Sequence, residues 1–386
     1  MQFLKTSLNQ FVFFILLIFP VVLKASGLDL SDVSILLPLP TSTKDISLLP
    51  AISQKAEAGD LLPRKVYEQI PLLVQAPKED IWKRLHLVGM RIDPYFVEGA
   101  APLRGRPQIR MIWQPVIEVG GQVVTQDAAL HSFYELSVDE MKDLLIALEA
   151  LKSSGRTHAA LGVHPVIEDE GLNGVYFNKL WSVIKKYTGE KRLSRVTFMQ
   201  VNLPENIWTF GGFDIKNQIL QPLLVARLGV NIQAFVNNML QKPFSFRGGL
   251  FPEPRQTENL NLLTRDSSRL TSADEAEVIS SVRAAIRFQN PNHFNPGNLD
   301  CVSCHIAQAV ELWALREHPE LNLKLRFQEE IYKSAFNLKN ISPFQNNTNV
   351  LRAFGYFFNR PVVSQRAINE TASVLQLIES GEWLKK

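Results

Sequence analysis

The sequence predicts an α+β protein, a mixed strand and helix region followed by a mainly helical one. Three observations carry this. Period-2 apolar patterns at Leu85 to Ile92 and Ile109 to Trp113 read as strands. Two amphipathic helices, opening near Ser137 and Val175, interrupt the strands without alternating with them, as in α+β chains rather than wound parallel sheets. After Ser272 the apolar spacing is mostly helical.

The chain opens with Lys5 ahead of an apolar run from Phe11 to Leu23, and Lys24-Ala25-Ser26-Gly27 supplies small residues after it. This is the pattern of a secretory signal peptide over residues 1–26. The run is shorter than the ~20 residues a spanning helix needs. No later stretch approaches that length, so no transmembrane segment is expected after cleavage. Removing the leader with its two lysines leaves 39 basic against 38 acidic residues, a net charge of +1. Such a balance gives no reason to expect nucleic acid as a partner.

Residues 27–225 read as the α+β domain. Ile109, Met111 and Trp113 share one strand face. Gly120-Gly121, between Val116 to Val119 and Val123 to Val124, marks a hairpin turn. Ser137 and Glu140 form a capping box for a helix with Met141, Leu144, Leu145, Leu148 and Leu151 on its apolar face, stopped by Gly155. A second helix runs from Val175 to Tyr187, closed by Gly189, with Phe177, Leu180, Trp181 and Ile184 inward. Val196 to Val201 and Ile207 to Ile215 read as a strand pair. The region has no G-x-S-x-G, phosphate-binding glycine loop or H-E-x-x-H. His158, His164, Glu168, Asp169 and Glu170 match no standard metal spacing and read as a solvated acidic loop. His86 and His131 read as packed or surface histidines. Residues 226–270, with Pro243, Pro252 and Pro254, read as a connector with little regular structure.

Residues 271–386 read as a second domain. Ser272 and Glu275 cap a helix reaching Phe288, with Val278, Ile279, Val282 and Ile286 inward, and Asn290-Pro291 stops it. A further helix has Ile306, Val310 and Trp313 at helical spacing. Leu321, Leu323, Leu325 and Phe327 alternate with polar residues and read as a strand. The last helix runs from Ser364 to Ser380, with Ile368, Leu375 and Ile378 inward, and ends at Gly381.

At the head of the middle helix stands Cys301-Val302-Ser303-Cys304-His305, and these are the chain's only two cysteines. C-x-x-C-H is the signature for covalent attachment of a c-type haem. Two thiols at this spacing add to the two vinyl groups of one porphyrin edge, and the next histidine lies under the iron as its proximal ligand. A simple dithiol or disulfide is an alternative use of C-x-x-C. A structural zinc site would need further ligands, and no other cysteine exists.

The order helix, Asn/Pro/Gly-rich loop (292–298), C-x-x-C-H, helix resembles a c-type cytochrome domain over the motif and its flanks. The resemblance implies one haem c joined through Cys301 and Cys304, with His305 on the iron, and an electron-transfer role with a redox partner of unstated identity. It also implies attachment on the periplasmic side, so a periplasmic or secreted protein, in keeping with the leader. Two departures stand out. Small single-haem cytochromes c usually take a downstream methionine as second axial ligand, and none follows position 301. Pro319 matches only loosely the proline of the segment whose carbonyl orients the haem histidine. The distal candidates are His293, His318, Met199 and Met239, with His293 the better histidine, because a helix of thirteen residues carries His318 roughly 20 Å from His305. An open or water-bound sixth position ranks above each. That keeps a haem enzyme or small-ligand sensor as a second reading, and a secreted binding protein with a disulfide as a third. The acid-free stretch from Ile331 to Asn369 carries Lys333, Lys339, Arg352, Arg360 and Arg366 among Phe344, Phe354, Tyr356, Phe357 and Phe358. At least one aromatic is expected against the haem, and each cation individually reads as surface charge.

Overall fold

The computed structural model of the protein describes residues 27–96, 105–152, 159–202, 206–216, 219–237, 240–241, 244–343 and 351–384. The expected signal peptide (1–26), Gly155, His158, Met239, Pro243 and Phe344 lie outside the described residues.

Ten strands form one antiparallel sheet: Ser34–Leu36 (β1), Leu85–Phe96 (β2), Arg106–Val119 (β3), Gln122–Thr125 (β4), Ala129–Glu135 (β5), Leu193–Asn202 (β6), Ile207–Lys216 (β7), Ile219–Pro222 (β8), Ile232–Asn237 (β9) and Gly248–Phe251 (β10). The order is β1-β2-β3-β5-β6-β7-β9-β10, with β4 on β3 and β8 on β7. Gly120 and Gly121 turn β3 into β4 with φ of 59° and 78°, the pair of positive values a tight hairpin of this hand requires. Helices Val138–Leu151 (α1) and Val175–Lys186 (α2) lie as the sequence predicts. Ser137 and Glu140 exchange both capping-box bonds. Beneath these helices Trp113 and Tyr134 are fully buried, with the indole donating to Ser132 Oγ (2.8 Å) and the phenol to the Leu61 carbonyl (2.7 Å).

Side chains alternate across a strand. The same strands that present Trp113 and Tyr134 to α1 and α2 therefore turn Arg110, Gln114 and His131 the other way. That second face is covered by the C-terminal segment: helices Glu275–Phe288 (α3), Cys301–Glu317 (α4) and Gln365–Ser380 (α5), and the hairpin Phe354–Phe357 (β11) with Arg360–Val363 (β12). Ser364 caps α5, and Gly381 closes it with φ of 64°.

The join between the regions is dense and polar. Gln114 accepts from Tyr356 N (2.7 Å) and donates to the Tyr356 carbonyl (3.1 Å). Tyr356 Oη donates to the Leu37 carbonyl (2.7 Å), Ser34 and Thr371 share a hydroxyl bond (2.7 Å), and Arg91 pairs with Glu370 (2.7 Å). One continuous apolar core runs through both, so the boundary at 271 marks no break in packing.

Three local expectations are corrected. Residues 226–270 are not a bare connector: they supply β9, β10 and a short helix, Asn261–Asp266. Their signal was masked because β9 buries a glutamine, Gln233, beside Phe235 and exposes Ile232, the reverse of an ordinary strand pattern. The cap before α3 is Thr271 with Asp274, closing a short 3-10 turn ahead of the helix. Leu321 to Phe327 form no strand but a 3-10 turn and the short helix Leu323–Arg326. Leu323 and Phe327, four apart, are the buried residues while Leu325 between them is 74% exposed, a helical rather than a strand spacing.

Gln114 is the only side chain that satisfies both the N–H and the C=O of Tyr356 among the described residues. Gln114→Leu keeps the volume and strands the Tyr356 N–H, while the carbonyl keeps Thr125 Oγ1 and Arg352 as donors, which should cost about 1–3 kcal/mol. The check is the urea midpoint at unchanged m-value.

Candidate functional site

The site is built from the first turn of α4. Asp300, fully buried, is its N-cap, accepting from Ser303 N at 3.0 Å. The other half of the anchor is Gln233 of β9. Its carbonyl accepts from Val302 N (2.9 Å) and its amide donates to Asp300 Oδ2 (2.9 Å). The helix start is thereby fixed against the sheet.

One turn later Cys301, Cys304 and His305 line a cavity of about 210 Å³ between α4, α5 and the second sheet face. Three and four residues apart, they share a helix side. Both thiols are free, and burial pushes Cys301 up to about 12 and raises Cys304 as well. His305 Nδ1 lies 2.5 Å from the Leu351 carbonyl, and burial lowers the ring's pKa, so Nδ1 donates from a neutral imidazole. This leaves Nε2 as the lone-pair nitrogen, the usual arrangement of a metal-ligating histidine. The orienting carbonyl thus comes from Leu351 ahead of the β11–β12 hairpin, not from the Pro319 segment, which sits beyond the far end of α4.

The opposite wall is the sheet. His131, Met199 and Arg110 line it, with Ile112, Phe133 and Phe210 as apolar surface. The Phe210 ring packs 4.8 Å from that of His305. His131 Nδ1 lies 3.2 Å from Thr197 Oγ1, and its Nε2 has no hydrogen-bond partner among the described residues. Burial first, then the charge of Arg110 and the neighbouring His305, hold His131 down to about 3, so it is neutral. His131 is thus a packed histidine, as the sequence suggested, and its ring faces the cavity. His86, whose Nδ1 meets the Leu49 carbonyl at 3.2 Å, is packed as expected too.

Five arginines line the cavity, Arg91, Arg110, Arg195, Arg352 and Arg366, against one acid, Glu370. Four are paired: Arg91 and Arg366 with Glu370, Arg195 with Asp214, Arg352 with Asp127. Arg110 makes no hydrogen bond or ion pair among the described residues. It lies between the rings of Phe96 (5.4 Å) and Phe133 (4.9 Å), and burial and Arg91 pull it down to about 10. A second cavity, of about 510 Å³, shares Arg91, Phe96 and Arg110 with the first. Arg352 and Arg366 are buried, not surface charge as their positions in the sequence suggested, whereas Lys333, Lys339 and Arg360 are exposed. Phe354 is the aromatic of the acid-free stretch that lines the cavity.

The other distal candidates fall elsewhere. His293 lies 3.3 Å from Glu330, and His318 ends α4 against Trp313 and Glu320. Neither lines the cavity, whereas Met199 does. His164 is held by Ile167 N and Tyr176 Oη, and no cluster of three metal-binding side chains occurs among the described residues. No protein-family model, curated protein or solved structure matches the chain.

Acid should destabilise the fold by two routes of one sign. Burial lowers His164 from 6.5 to about 4, so between these values the unfolded chain binds the extra proton and stability falls with pH, on the order of 2–3 kcal/mol. Glu370, which burial alone would raise, is brought to about 2 by Arg366 and Arg91; its contribution is complete above about 4.5 and fades toward 2. Urea midpoints measured from pH 7 to pH 4 should fall throughout.

Proposed function

We propose that the chain is a single-haem c-type protein that passes electrons outside the cytoplasm, with haem c joined to Cys301 and Cys304 and His305 as the proximal iron ligand. The observation that carries this is the His305 ring, fixed through Nδ1 by the Leu351 carbonyl while it and both thiols of C-x-x-C-H line one cavity. The rest of the cavity suits the same group. Haem is a flat apolar ring with two carboxylates. Phe133, Phe210, Phe354 and Ile112 supply apolar walls, and the unpaired guanidinium of Arg110 supplies an anion partner. When bound, haem supplies one-electron chemistry at iron, tuned by burial and ligation. The chain's own residues anchor it, orient the imidazole, neutralise the carboxylates and keep out water.

The apolar leader supports a periplasmic or secreted location, and no helix among the described residues is long and apolar enough to cross a membrane. An enzyme or sensor with an open sixth position, and a haem-free protein with a Cys301–Cys304 disulfide, are the competing readings.

Protein made with the haem-attachment machinery should be heavier by one haem and keep its colour through acid–organic extraction. Cys301→Ala and Cys304→Ala should each leave at most one attachment. Colour that extracts completely, or a mass that shows a disulfide and no adduct, overturns the reading.

A further inference from the structure

We infer that His131, on the central strand β5, is the sixth ligand of the iron, through Nε2, so that the N-terminal sheet completes the site that the C-terminal motif begins. This rests on the haem reading above. His131 faces the same cavity as His305 from the opposite wall. Its ring is already oriented, because Nδ1 is engaged by Thr197 Oγ1 at 3.2 Å, and Nε2 is left without a partner. A second group engaging the far nitrogen is how ligating histidines are usually held.

Met199 is the rival on the same wall. In register it sits opposite Phe210, while His131 sits opposite Thr197. Phe210 packs against the His305 ring itself, which sets the Met199–Phe210 pair beside the proximal imidazole. Among the described residues no hydrogen bond holds the Met199 sulfur. Arg110, next along the sheet from His131, is left for a haem carboxylate rather than the iron, since a guanidinium has no lone pair to offer.

The experiment uses the full chain with haem attached. The ferric protein should be low-spin by visible and electron paramagnetic resonance spectra, and the reduced protein should respond little to carbon monoxide. His131→Ala should retain covalent haem, turn high-spin, bind carbon monoxide readily and regain a low-spin spectrum on adding imidazole. Met199→Ala should leave the spectrum unchanged. Should His131→Ala fail to fold, His131→Met supplies the second test: it should stay low-spin while its reduction potential rises, as methionine ligation favours. Covalent haem with a high-spin, carbon-monoxide-binding wild type overturns the ligand assignment and leaves the haem reading standing. So does a low-spin spectrum that survives His131→Ala or is lost in Met199→Ala. An absent haem adduct overturns both.

Discussion

The buried carboxylate of Asp300 is the constraint on which the site depends. A carboxylate shut away from water is costly unless charged or polar donors surround it. Here Ser303 N donates at 3.0 Å, Gln233 donates at 2.9 Å and Arg227 approaches at 3.5 Å. The donors come from three places in sequence, so the carboxylate is satisfied only when β9, the Arg227 turn and the head of α4 are together. Gln233 is doubly committed, because its other end accepts from Val302 N. The direction in which Cys301, Cys304 and His305 point follows from that clamp. The Leu351 carbonyl then removes the remaining freedom of the His305 ring.

Electrostatics around the cavity follow a consistent logic. Arg352 and Arg366 keep only 3% of their side chains exposed, and each has a carboxylate and backbone carbonyls as partners. Buried charges with partners of both kinds are tolerable, and those with none are expensive. Arg110 stands out against this background. Two phenyl rings give its guanidinium cation–π contacts, worth about 2 kcal/mol when desolvated, while Glu370 and Asp93 act on it only from beyond ion-pair distance. On the proposed haem reading, this guanidinium would be the partner of a haem carboxylate.

Much of the fold was legible because its signals are local. The Ser137–Glu140 box, the Gly120-Gly121 turn, the Gly381 stop and the C-x-x-C-H head of α4 each declare themselves within a few residues. The motif residues themselves, Cys301, Cys304 and His305, come together as read. What was not legible is pairing across distance. Arg110-x-Ile112-x-Gln114 and Ala129-x-His131-x-Phe133 alternate as any half-solvated strand would. Nothing in those strands says that their polar face is roofed by a segment more than 150 residues away. The same blindness hid Arg352 and Arg366, whose burial depends on Asp127 and Glu370 being in place. It also favoured His293, which is close to the motif in sequence but engaged with Glu330 in space.

One continuous apolar core joins the C-terminal segment to the sheet, and the cavity is built from both. The C-terminal segment brings the thiols and one imidazole, and the sheet brings the opposite wall, the second imidazole and the unpaired guanidinium. A group held in that cavity touches both halves and stabilises the state in which they are closed, since a ligand that binds only the folded form adds its binding free energy to it. On the proposed reading, the large N-terminal region would form the second wall around the group. A short motif helix cannot enclose a flat prosthetic group by itself. Enclosure requires a broad rigid surface opposite, and a ten-stranded sheet braced on its other face by α1 and α2 provides one. Set on central strands of that sheet, His131 and Arg110 are held by backbone pairing on both sides, which is firmer than the support a loop would give them.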